Sequence, residues 1–178
     1  MKHTTSTRNI LTLAAVLLSG AAYAQMQATP EMTAEQAAAD QIYRADTDIA
    51  VANLLDTIDL TVAPEPPRTG LDARGHLDFF GAPPGTPAPL TASAANARTA
   101  EDQAIAFITD NAAAFGIRSE NVGLLNVREN VEAGRTYLRF QQTYADLEVF
   151  GAEIIVQLEN GGVAAVFSDI MTDTWKLD

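Results

Sequence analysis

The chain has no cysteine among its 178 residues and only two histidines, His3 and His76. Without cysteine there can be no disulfide staple, no thiolate nucleophile and no lipid anchor on a cysteine near a processed N-terminus. The scarcity of histidine excludes more chemistry. A thermolysin-type zinc site needs H-E-x-x-H on a helix, because two histidines at that spacing aim at one metal while the glutamate activates water. With His3 in the leader described below, no such site can be assembled within the chain. Serine chemistry needs a base, and His76 stands beside "LDFF" in a Pro/Gly-rich stretch with no G-x-S-x-G elbow nearby, so it reads as a surface or packing histidine.

Other constellations are missing too. "DTDIAVAN" (Asp46–Asn53) lacks the glycine of a calcium loop, and "GAPPG" (Gly81–Gly85) is too proline-rich for a phosphate loop and does not join a strand to a helix. Carboxylate pairs such as Glu101 with Asp102 and Glu129 with Glu132 are common in so acidic a chain, and they serve to cap a helix and solvate a turn. The expectation is a protein that is no enzyme, with no cofactor and no metal.

Positive charge is equally short. Eleven basic residues face 23 acidic ones, for a net charge of −12, which repels nucleic-acid phosphates and anionic lipid and excludes both as partners. The excess acid suits solubility outside the cell. Long apolar runs are also lacking. "ILTLAAVLL" (Ile10–Leu18) falls well below the ~20 residues that span a bilayer. Preceded by Lys2 and Arg8 and followed by "AYA" (Ala22–Ala24), it reads as a Sec-type signal peptide over residues 1–24, cleaved between Ala24 and Gln25. The product is then secreted or periplasmic, with no membrane association after cleavage.

What is present begins with a helical or partly disordered arm over residues 25–59. Thr33 with Gln36 makes a capping-box pattern ahead of a thin stripe of Ala37, Ala38, Ile42, Ala45 and Ile49. Residues 60–97 read as a Pro/Gly-rich linker with one embedded apolar element. Its "HLDFF" (His76–Phe80) fits a short edge strand, with Phe79 and Phe80 plugged against the domain that follows.

That domain is assigned to residues 98–172, with a tail at 173–178. Thr99 is the N-cap of a helix, Glu101 and Asp102 sit at its positive end, and Gly116 is its stop. Ile105, Ile108, Ala112 and Phe115 give the helix one buried face. The period then drops to two. Strands are expected at Val122–Glu129, Arg135–Tyr144, Leu147–Leu158 and Val163–Ile170. They are joined by a turn at Asn130–Gly134, by Ala145-Asp146 and by the strong hairpin signal Asn160-Gly161. The fold class is α+β: one helix packed on an antiparallel meander, preceded by the helical or flexible arm.

Within this meander, Leu138, Phe140, Gln142 and Tyr144 share the face toward the helix, as do Phe150, Ala152, Ile154, Val156 and Leu158 of the next strand. Gln142 is an amide on an apolar face, and Gly151 interrupts a strand. The simpler reading is that Gln142 satisfies a neighbouring backbone group and Gly151 makes room for an aromatic ring. The alternative is direct contact with a partner.

The text "YLRFQQTYADLEVFGAEIIVQLENGGVAAVFSDI", following "AIAFITDNAAAFGI", resembles the fungalysin/thermolysin propeptide domain of secreted zinc metallopeptidases. That family's pattern runs R-x-x-Q-x-Y-x-G-(I/V/L)-x-V-x-(G/A), and Arg139, Gln142, Tyr144, Leu147, Val149 and Gly151 stand at its places. Asp146 departs from it where glycine is usual. The resemblance covers Arg98–Ile170 well, Gly70–Ala97 loosely and nothing earlier. It implies a non-catalytic module that assists folding of a metallopeptidase catalytic domain, in cis or in trans, and holds it inactive. Arg139, Gln141, Gln142, Tyr144, Leu147, Val149 and Gly151 are then candidates for partner binding or for the family's internal fold motif. The chain stops soon after the last strand, without room for the catalytic domain, which suggests a truncated precursor or a separate binder. A standalone interaction domain of the cell envelope, with no protease partner, is the alternative.

Overall fold

The computed structural model describes residues 33–118 and 122–172; the expected signal peptide, its cleavage site at Ala24-Gln25 and the tail at 173–178 lie outside them. The chain divides into two compact units, Met1–Ala39 and Asp40–Asp178. Of the first, the described part is the opening of helix α1 (Ala34–Asp56), where the Ala37 N–H donates to the Thr33 carbonyl at 2.9 Å. The packing below is that of the second unit.

The expected stripe on α1 is not the buried one: Ile42 and Ile49 are 66% and 60% exposed. The helix instead buries Thr47, Leu54 and, just past its end, Ile58, with Ala50, Val51 and Leu55 partly covered. An alanine-rich helix has weak faces, so the face that wins is the one carrying the larger C-terminal side chains, Leu54 and Leu55.

The stretch expected as a linker is largely structured. It supplies β1 (Arg68–Leu71), β2 (Leu77–Gly81), β3 (Ala88–Pro89) and the short helix α2 (Ala92–Ala95). "HLDFF" is therefore no edge: β2 lies between β1 and β7 (Gly162–Asp169), with Phe79 opposite Phe167 and Phe80 opposite Val166. The edge role falls to β1, whose "RTGL" carries no apolar alternation to announce it. In β3, Pro89 is tolerated because that short strand pairs only with β7 and so has an open edge.

Helix α3 (Ala100–Asp110) starts as expected, the Asp102 N–H donating to Thr99 Oγ1 at 3.0 Å. It ends earlier than Gly116. Asn111 caps it by donating from Nδ2 to the Phe107 carbonyl at 2.8 Å, and a 3-10 turn (Ala112–Phe115) carries the chain to Gly116, whose φ of 74° makes the stop.

Among the described residues the sheet has seven strands, all antiparallel, in the order β1-β2-β7-β6-β5-β4, with β3 also on β7. Strands β4 (Val122–Glu132), β5 (Arg135–Tyr144), β6 (Leu147–Glu159) and β7 form the expected meander. The β4–β5 turn is tighter than "NVEAG" suggests, closing on Ala133-Gly134 alone. The three hairpins of the meander turn on two residues of positive φ each: Ala133-Gly134, Ala145-Asp146 and Asn160-Gly161. This is the geometry whose twist matches that of the flanking strands. One core joins the layers, with Phe80, Phe107, Phe115, Phe140, Ile154 and Val166 fully buried and Leu54 of α1 among them.

Candidate functional site

The β5–β6 hairpin carries all seven residues read as partner-binding or fold-motif candidates, Arg139 to Gly151. Its pairing is irregular. Gln141 faces Glu153 and Thr143 faces Glu148, so Val149–Ala152 of β6 stand opposite the single residue Gln142 of β5. A strand with four residues against one must bulge outward. Gly151, at φ 75°, supplies the left-handed step, and a Cβ there would meet nothing within 4 Å. It is glycine because of the backbone turn, then, and not to make room for an aromatic ring.

The polar residues around it are internally engaged. Gln141 Nε2 donates to the carbonyls of Val149 at 2.6 Å and Ala152 at 2.7 Å, closing the base of the bulge. Arg139 Nε donates to Glu153 Oε2 at 2.9 Å, with its Nη2 on the same oxygen, next to that closure. On the opposite face Gln142, 1% exposed, donates to the Met171 carbonyl at 2.9 Å and accepts the Met171 N–H at 2.7 Å. Both halves of its amide are thereby satisfied, and the chain is tied down as it leaves β7. Tyr144 is half-buried opposite Leu147, Val149 is half-buried and Leu147 is 74% exposed.

The bulge displaces one residue from its expected place. Phe150, read as inward-facing, is 103% exposed. Alternation counted through a strand fails wherever extra residues enter it, and the signal for that was already visible in Gly151.

A second polar cluster went unread in the sequence. His76 is buried at 2% exposure, its Nδ1 lies 3.0 Å from Asp72 Oδ2, and its ring meets Tyr43 of α1 edge-on at 5.2 Å. Asp72 Oδ1 also accepts the N–H groups of Arg74 at 2.8 Å and His76 at 2.9 Å. Burial pushes the Asp72 carboxyl up, but the bonds from His76 and Arg74 outweigh it and hold it below the usual carboxylate value. A carboxylate at Nδ1 places the ring proton there and leaves Nε2, the atom a catalytic base would use, buried without a hydrogen-bond partner among the described residues. Arg118 stacks on the Tyr43 ring and donates to the Tyr43 carbonyl at 2.8 Å. This arrangement packs α1 against the β1–β2 turn. Among the described residues no group of three or more acidic, histidine or cysteine side chains is placed to hold a metal, and no helix is long and apolar enough to cross a membrane.

The strands around the bulge are also where the chain meets known proteins. Residues 126–170 match the Fungalysin/Thermolysin Propeptide Motif. The motif takes in most of β4, all of β5 and β6, and β7 to its end, and thus the bulge with its two glutamines and Arg139. Helix α3, part of the resemblance read from the sequence, lies outside it, as do α1 and β1–β3. A propeptide motif is a non-catalytic module associated with metallopeptidase catalytic domains. No curated protein and no solved structure matches the chain.

Proposed function

We propose that this protein is an exported propeptide-like module that binds the catalytic domain of a thermolysin-like or fungalysin-like zinc metallopeptidase, in cis or in trans, assisting its folding and holding it inactive. The observation that carries the reading is the propeptide motif over residues 126–170, coinciding with a four-stranded meander on which α3 packs. The apolar leader and the strong acidic excess favour work outside the cell. Arg139, Gln141, Gln142 and Gly151 act in this reading as the internal frame of the β5–β6 end, since each satisfies backbone or side-chain groups within the fold or supplies its turn.

The test adds the full chain, in excess, to a thermolysin-type catalytic domain, both active and refolding from denaturant. Inhibition, or a raised yield of active enzyme, is expected. No effect on either, at concentrations of about tens of micromolar where weak complexes still form, would sink the reading and leave an interaction domain with some other partner.

A further inference from the structure

We infer that Phe150 is the anchor of the docking surface, and that it enters an apolar pocket rimmed by lysine or arginine on the partner protein. A fully exposed phenylalanine contributes nothing to the core, yet this one is held in place by considerable local construction. The bulge exists only because Gly151 takes a left-handed φ, and Gln141 closes it with bonds of 2.6 and 2.7 Å to the carbonyls on either side. Arg139 and Glu153 brace the same base. The aromatic ring is thereby presented on rigid backbone, which lowers the entropy lost when it is buried by a partner. Leu147, also exposed, adds apolar area at the adjoining turn.

Charge identifies the occupant. From Thr143 to Ala152 the hairpin end holds Asp146 and Glu148, both exposed, and no basic residue. An aromatic knob with an acidic rim is complementary to an apolar pocket with a basic rim. A second copy of this chain is a poor occupant, because at −12 it brings the same acidic rim to the contact. On the reading proposed above, on which this inference rests, the pocket belongs to the metallopeptidase catalytic domain.

The experiment measures binding of the full chain to a thermolysin-type catalytic domain by titration calorimetry at about 50 mM and about 500 mM salt, where screening lengths differ several-fold. Phe150→Ala is expected to weaken binding roughly 10- to 100-fold, as for a buried aromatic hot spot, with no fall in the thermal midpoint. Glu148→Lys is expected to weaken it at low salt and to approach wild type at high salt. Val131→Ala, at an exposed site on the far β4–β5 turn, serves as the control that leaves affinity unchanged. If wild type binds and Phe150→Ala binds equally well, the anchor is wrong and the propeptide-like reading stands. If wild type does not bind, the reading falls and takes this inference with it.

Discussion

The two halves of the sheet are held together by different kinds of contact. From β4 to β7 every strand pairs with its neighbour in sequence through a two-residue turn, so the ladder can close locally. Strands β1–β3 precede α3 and reach the sheet only through β7, with Phe79 against Phe167 at 4.9 Å between ring centroids. The meander is specified by its turns, and the docked strands by burial. Cohesion in the first half is spread over many short-range pairs, whereas in the second it concentrates in a few side chains such as Phe80, whose loss should be felt disproportionately.

Phe80→Ala tests the docked half most severely. The side chain is fully buried, so a loss of about 3–5 kcal/mol is expected in denaturant unfolding. In native-state hydrogen exchange the amides of β1 and β2 should lose protection more than those of β5 and β6. Equal loss in both halves would show that the sheet opens as one unit and would erase the distinction. Gln142→Ala comes next. It strips the partner from both the N–H and the carbonyl of Met171, at a cost of about 1–3 kcal/mol. Faster exchange should follow at the end of β7, and an unchanged stability would mean that water replaces the amide without loss.

Asp146→Gly probes the local half from the favourable side. Asp146 sits at φ 65° with Ala145 at 47°, and relieving one non-glycine residue of a left-handed conformation should add about 0.5–1 kcal/mol. A neutral or destabilising result would show that the turn is not under strain. The smallest effect belongs to Asp72→Asn, where α1 meets the docked strands. The carboxyl of Asp72 is held below the usual carboxylate range, so its contribution is fully present above about pH 5 and is lost as pH falls through the folded pKa. The Asn variant should therefore be less stable than wild type above about pH 5 and converge on it as pH falls, which flattens its pH profile; parallel profiles would remove Asp72 from the account.

The same contrast governs what could be read from the text. Helix α3, the four meander strands and the Asn160-Gly161 turn are legible because their signals are local: an N-cap, an alternation, a turn dipeptide. The docked strands are not, because "RTGL" and "AP" have no pattern of their own and become strands only when β2 and β7, respectively, offer them a ladder. Phe150 departs from its expected face for the opposite reason: a local alternation does not carry across the glycine that breaks it. The cluster around His76 has no local signature, because Tyr43 and Arg118 lie far from it in the chain and come together only in the fold. The candidate hairpin was found by its residues, while its most exposed side chain was not among them.

Strand β7 pairs with β2, β3 and β6, three partners for eight residues. Because it follows them by some eighty residues in sequence, Phe79 and Phe80 emerge from the ribosome long before the strand that will cover them exists. At about 5–20 residues per second that gap lasts on the order of ten seconds. During it β2 and β3 lack the strand that they pair with in the finished sheet. The order of synthesis therefore leaves Phe79 and Phe80 without their cover until β7 has been made.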